Sequence, residues 1–380
     1  MSVFNPTFVD AQKQTCFFGE PVNVARYDKP RYPQFEKLTD KQLGFFWQPE
    51  EVDISKDSRD FKALSEHEKH IFTSNLKRQI LLDSVQGRAP SMAFLPICSN
   101  PELETWVQTW AFSETIHSKS YTYLIKNVYP NPSDVFDGML DIEEIVDCAG
   151  SISKYYDDLI WISRDWERHP ERGFWTSSRE YQKRGGLTDL QKKHIYEMKT
   201  ALWMCLNAVN ALEGVRFYVS FACSWAFAEM KKMEGNAKII KLICRDENIH
   251  LAGTQHLLKI LPKEDKDFAK IQKEMQDEVE ALFDDVAEQE KKWAEYLFKD
   301  GSMIGLNYNI LCEYVDFITA KRKAAIGLGP VPRINPLPWT QKWISGSDTQ
   351  VAPQQTQITS YVIGGTKKDV DEDSFKGFEL

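Results

Sequence analysis

From Glu66 onward the apolar positions of the chain recur every three or four residues, the spacing of helices that bury one face, while runs alternating with period two are sparse. Phe72, Leu76 and Ile80 define the first such face, and the run closes at Gly87. A second helix opens at Asn100-Pro101, where Asn caps free backbone N–H groups and Pro suits the first turn, and it stops before Pro130. Further helices are predicted over about 141–166, 188–230, 234–261, 265–299 and 308–326. Residues 167–187 break the period and read as a charged surface excursion. The expectation is an all-α body over 66–326, with an irregular segment 1–65 packed on it. A Pro-rich loop (Pro330, Pro332, Pro336, Pro338) and a flexible carboxyl-terminal tail fill 327–380.

Polar residues intrude on these apolar faces at a few places. On one helix the buried stripe is Val107, Trp110, Glu114, His117, Tyr121, Leu124, Val128; on a later one it is Ile240, Ile243, Glu247, His250, Thr254, Leu257, Leu261. Both advance by alternating steps of three and four, so the two stripes superimpose and each Glu-x-x-His pair lies mid-face. Burying carboxylates and imidazoles there is costly unless something satisfies them. Upstream of each pair is a helix with one acid on its apolar face. Asp83 follows Phe72, Leu76 and Ile80, and Glu213 follows Leu202, Leu206 and Val209.

A unit of acid helix and Glu-x-x-His helix thus occurs twice. Two lone carboxylates and two Glu-x-x-His pairs on four helices are the ligand set of a di-iron or di-manganese carboxylate centre in a ferritin-like bundle. The six candidate ligands are Asp83, Glu114, His117, Glu213, Glu247 and His250. Oxygen and imidazole without thiolate suit iron or manganese better than zinc or copper, and four carboxylates with one oxo bridge balance two ferric ions. The bland alternative is four buried acids satisfied by hydrogen bonds beside two incidental histidines. A single Glu-x-x-His is weak evidence against it; the matched double unit is strong.

Composition narrows the picture. With 42% hydrophobic residues and 22 Phe, 14 Tyr and 11 Trp, the chain can fill a large core. Neither a signal peptide nor a membrane span is supported, since the most apolar stretch, 201–228, is broken by Glu213 and Arg216. A soluble, cytoplasmic protein is expected. The net charge of −9 without a long basic run argues against a nucleic-acid or anionic-membrane surface. Two of those excess acids fall in residues 366–380 and four more are the candidate ligands, so the rest of the body is near neutral. Seven scattered cysteines without a Cys-x-x-Cys pair read as buried free thiols.

The two halves differ where the second stripe has Thr254 and the first has Tyr121, one turn past His117. A phenol beside an oxygen-activating metal pair is a ready one-electron donor, although position alone serves equally well for a packing tyrosine with a satisfied hydroxyl. Asp246, next to Glu247, suits the carboxylate to which a ligating His donates its other ring N–H.

The segments FFWQPEEVD (45–53), LLDSVQGRAP (81–90), ETWVQTWAFSETIHSKSYT (104–122), NALEGVRFYVSFACS (210–224), MEGNAKIIKLICRDENIHL (233–251) and VAPQQTQITSYVIG (351–364) resemble the small, radical-generating subunit of class I ribonucleotide reductase. The resemblance extends over nearly the whole chain. It implies the same six ligands around an oxo-bridged iron pair assembled with O₂, manganese remaining open, and a stable tyrosyl radical on Tyr121. It further implies an apolar shield of Phe217, Phe221 and Ile243, and a radical path beginning at Trp47 and Asp246. On the residues alone, Trp47 would be an aromatic core plug. Tyr361 is implied as the relay to a cysteine of the large subunit, with the tail segment DVDEDSFKGFEL docking in a groove of that partner. The small subunit is implied to be a homodimer that, with the large subunit, reduces ribonucleoside diphosphates. Two departures stand out: residues 167–187 match no motif of the family, and Cys244 stands where a small apolar residue is expected, inert packing being the favoured reading. Competing readings are a ferritin-like iron oxidation and storage protein, which needs neither Tyr121 nor the tail, and a partner-binding scaffold with a silent metal site.

Overall fold

A computed structural model describes residues 8–20, 24–168 and 188–344, and these fold as helices with no strand among them, apart from isolated bridges such as Phe17 with Cys98. The helices are α1 (Pro33–Gly44), α2 (Ser55–Ala63), α3 (Glu66–Gln86), α4 (Ala89–Phe94), α5 (Pro101–Val128), α6 (Ser133–Phe136) and α7 (Glu143–Arg168). After these come α8 (Asp189–Ala211), a π-helical turn (Leu212–Arg216), α9 (Tyr218–Glu229), α10 (Glu234–Glu264), α11 (Lys266–Glu274), α12 (Gln276–Phe298), α13 (Tyr308–Ala325) and α14 (Gln341–Ile344).

Local chemistry explains where the long helices begin. Ser65 and Glu68 exchange side-chain and backbone hydrogen bonds at the start of α3, Thr188 and Gln191 do the same for α8, and Asn100 accepts from the Leu103 N–H ahead of Pro101. Each pairing satisfies N–H groups that have no partner inside the helix. α10 is capped from a distance: Asp57 on α2 accepts from the backbone N–H groups of Gly235 and Asn236 at 3.0 and 2.6 Å. That contact ties the amino-terminal arm to a ligand-bearing helix.

Three expectations need correction. The amino-terminal segment is not wholly irregular, because α1 and α2 lie within it; Phe35, Leu38 and Gln42 give α1 a buried face only three turns long, too short for periodicity to stand out. The single helix expected over 188–230 is interrupted by the π-helical turn at Glu213. The one expected over 265–299 is two helices that part at Met275. Residues 169–187 and 345–380, including Tyr361 and the docking segment, lie outside the described residues.

α3 and α9 pack together, α5 lies against α3 and α10, and α8 and α9 both pack on α10, so the four acid-bearing segments converge on one interior. All residues of the two predicted stripes are buried. Close approach of α5 and α10 depends on Gly253, where an added Cβ would come within 2.6 Å of the Trp106 indole nitrogen. All seven cysteines are free, and no described helix is long and apolar enough to cross a membrane.

Candidate metal centre

The six predicted ligands meet at the centre of this bundle, each fully buried. They form two overlapping groups, Asp83/Glu114/His117/Glu247 and Glu114/Glu213/Glu247/His250, with one ligand atom per residue inside a 4.8 Å sphere of mutual distances. Glu114 and Glu247 belong to both. Two carboxylates common to two clusters are what bridging two ions requires, and the remaining acid and imidazole of each cluster complete one end.

The geometry is hard to reconcile with satisfied buried acids. His117 Nδ1 faces Glu114 Oε2 at 3.0 Å and Glu247 Oε1 at 3.2 Å, while His250 Nδ1 faces Glu114 Oε1 at 3.0 Å and Glu247 Oε2 at 3.1 Å. Each Nδ1 carries at most one proton yet faces two carboxylates, so at least one of those contacts is poorly satisfied by hydrogen bonding alone. Both Asp83 oxygens, Glu213 Oε2, Glu247 Oε1 and His250 Nε2 are buried without a hydrogen-bond donor or acceptor. Orphaned carboxylate oxygens gathered at one buried point are destabilising by some ~1–3 kcal/mol each unless a cation collects them. Four carboxylates balance two divalent ions, so the residues present fit a dinuclear centre, and the absence of thiolate favours hard or borderline metals.

Protonation follows the same logic. Burial, and then the neighbouring Glu114, hold Asp83 well above the usual carboxylate range; burial and Glu247 do the same for Glu213. Burial pulls both histidines down, but the surrounding acids outweigh it: Asp246, Glu114 and Glu247 raise His117, and Glu114, Glu213 and Glu247 raise His250. Glu247 is the exception, since burial raises it but contacts with Glu213 and the two histidines take it below its ordinary value. Four groups that retain protons above their ordinary pKa must release them when a cation enters. Uptake of Mn(II) is therefore expected to release protons and to tighten as pH rises. Calorimetry in buffers of different ionisation enthalpy checks this, and a buffer-independent heat would contradict it.

Partners beyond the ligands fix their orientation. Trp47 Nε1 donates to Asp246 Oδ2 at 2.8 Å, and the same oxygen lies 3.3 Å from His117 Nε2. With its proton on Nε2, His117 keeps the Nδ1 lone pair for a metal. Burial would raise the Asp246 pKa, but His117, Arg245 and Trp47 together hold it low, so it stays ionised. The Trp47 and His117 rings stack at 6.5 Å. Reading the chain alone did not single out three further contacts: Trp110 Nε1 donates to Glu114 Oε1 at 2.8 Å, Gln86 Nε2 to Glu213 Oε1 at 2.5 Å, and Tyr156 to Gln86 Oε1 at 2.8 Å. Trp110 was visible one turn before Glu114 on the same stripe, and Gln86 three residues after Asp83; Tyr156 gave no signal.

Tyr121 is fully buried and its hydroxyl lacks a hydrogen-bond partner of ordinary geometry. Burial pushes the phenol pKa well up, and Asp83 is the next strongest influence on it. Phe217, Phe221 and Ile243 are also fully buried, the two phenyl rings stacking at 5.6 Å just beyond the π-helical turn. Cys244 is outside both ligand groups, and burial pushes its thiol up to about 12, as suits inert packing.

Comparison with known proteins agrees with the geometry. The family described as Ribonucleotide reductase, small chain matches residues 25–334. The chain is 52% identical to Ribonucleoside-diphosphate reductase 1 subunit beta of Escherichia coli O157:H7, over all of this chain and 99% of that protein. It is 42% identical to Ribonucleoside-diphosphate reductase subunit beta of Enterobacteria phage T4, again over all of this chain and 99% of the relative. The fold matches the ribonucleotide reductase R2 subunit from Clostridium botulinum with a TM-score of 0.72 at 22% identity, covering 91% of this chain and 98% of that one. With a twice-used ligand unit at its core and relatives of this name along its full length, the chain belongs to the small-chain family of ribonucleotide reductases.

Proposed function

We propose that this chain is the radical-generating subunit of a class I ribonucleoside-diphosphate reductase, an oxidoreductase active only with a large subunit. Asp83, Glu114, His117, Glu213, Glu247 and His250 hold two iron ions per chain. Manganese accepts the same donors, and iron is the ion we assign. Residues 66–326 form the metal-holding bundle of a homodimer, residues 1–65 cover it, and 327–380 carry the docking tail.

When bound, the metal pair supplies the oxidising power of O₂ inside the protein. Tyr121 gives up one electron and its phenolic proton, and Asp83 is the base nearest in effect to receive that proton. Phe217, Phe221 and Ile243 exclude water and reductants from the resulting radical. Trp47 and Asp246 open the outward path: the ionised carboxylate holds the indole N–H, so the indole can lose an electron while its proton stays in place. Tyr361 then relays the oxidation to a cysteine of the large subunit, where ribonucleotide reduction starts.

The observation that carries this reading is the line Trp47–Asp246–His117, which runs from one ligand cluster to the amino-terminal arm. Iron storage, the rival role for such a bundle, has no use for that line, and the relatives are reductase subunits. Deleting residues 366–380 tests the partner. The radical should survive while activity with the large subunit disappears; retained activity would contradict docking through the tail.

A further inference from the structure

Glu213 does not sit on regular helix. It lies in the π-helical turn Leu212–Arg216, which has one residue more than an α-turn and leaves backbone groups outside the normal ladder. Such a turn is costly unless neighbours hold it. The holder here comes from α13: Arg322 Nε donates to the Gly214 carbonyl at 3.0 Å, and Arg322 Nη2 donates to the Tyr218 hydroxyl at 2.6 Å. Its guanidinium also lies over the Tyr218 ring, 5.1 Å from the centroid.

Arg322 is 7% exposed, and its hydrogen bonds go to a backbone carbonyl and a phenol. A buried guanidinium held by a backbone carbonyl and a phenol is expensive as packing, and its planar fork instead ties the middle of the turn, at Gly214, to the first residue of α9, Tyr218. The clamp extends further. Tyr218 lies 3.4 Å from Asn248 Oδ1, on the residue after Glu247, and Asn248 Nδ2 donates to the Cys244 carbonyl at 2.7 Å. Gly214 is shaped for the contact, since an added Cβ would meet Arg322 Cδ, Cγ and Nε at 3.0 Å.

We infer that Arg322 is a positioning residue for the metal centre, locking the π-helical turn so that Glu213 meets the ion of the Glu114/Glu213/Glu247/His250 cluster. Asp83 and His117, which complete the other cluster, stand on α3 and α5 and do not depend on this clamp. The inference rests on the reading that the chain holds two ions, and the two can fail separately.

The test is Mn(II) titration of the metal-free full chain, followed by the magnetic resonance signal of the unbound ion. The unaltered chain should bind two equivalents; one alone would overturn the two-ion reading itself. Arg322→Met, which keeps the apolar stem, should bind one equivalent as before and the other about 10–100-fold more weakly, the usual scale for loss of a ligand's outer partner. Arg322→Lys should recover part of that loss, because an ammonium reaches one acceptor of the two. On a Glu213→Ala background Arg322→Met should change nothing further, as both act on one ion. Equal weakening of both equivalents, or of neither, would overturn the assignment and leave Arg322 a packing residue. If Arg322→Met does not fold, Gly214→Ala crowds the same contact and is judged by the same selective loss.

Discussion

Replacing Tyr121 with Phe is expected to leave two metal ions per chain and a folded protein, and to reduce ribonucleotide turnover with the large subunit to background. The change removes a single hydroxyl. That hydroxyl is buried with no partner of ordinary geometry, and its loss gives up at most a weak contact with Asp83, so the melting temperature should change little. None of the six ligands is touched. A phenyl ring fills the same space but is far harder to oxidise, so the substituted side chain cannot take over as the carrier. Intact activity in this variant would remove Tyr121 from the mechanism. Lost metal would mean that the hydroxyl belongs to the binding site.

Replacing Trp47 with Phe should have a comparable effect on turnover by another route. The indole nitrogen is the donor that joins Asp246 to the amino-terminal arm, and its loss leaves a buried, ionised carboxylate short of one hydrogen bond. A cost of about 1.5–3 kcal/mol is expected for a bond to a charged group, small enough for a core of this size to stay folded. Metal content and the Tyr121 radical should persist, because the six ligands and Tyr121 are unaltered. What disappears is the oxidisable station between the bundle and its partner. The measurement is therefore a pair: the radical signal of the isolated subunit, expected to be present, and turnover with the large subunit, expected near background. Turnover within a few-fold of the unaltered chain would return Trp47 to the role of a core plug.

Much of the centre was legible in the chain because helical periodicity converts sequence spacing into a shared face. Glu114 with His117 and Glu247 with His250 are placed by their own stripes, and Asp83 by Phe72, Leu76 and Ile80. Glu213 was placed too, although the backbone beneath it is π-helical: the apolar run before it has ordinary spacing, and the extra residue enters only at the ligand. Contacts between helices were not legible. Tyr156 reaching Gln86, and Arg322 reaching Gly214, depend on which helices are neighbours, and spacing within one helix carries no such information. The missed amino-terminal helices have a related cause, since α1 is ordered by packing against α5 rather than by a long face of its own.

The central claim is that the two clusters containing Glu114 and Glu247 would hold a metal pair, and that Tyr121 beside them is the side chain that gives up an electron once that pair and O₂ are supplied. An electron paramagnetic resonance spectrum of the iron-loaded chain after exposure to O₂, taken beside a metal count, tests it most directly. Two ions per chain and a narrow organic radical signal that vanishes in Tyr121→Phe is the result predicted. One ion per chain, no radical, or a radical that persists in Tyr121→Phe would contradict it.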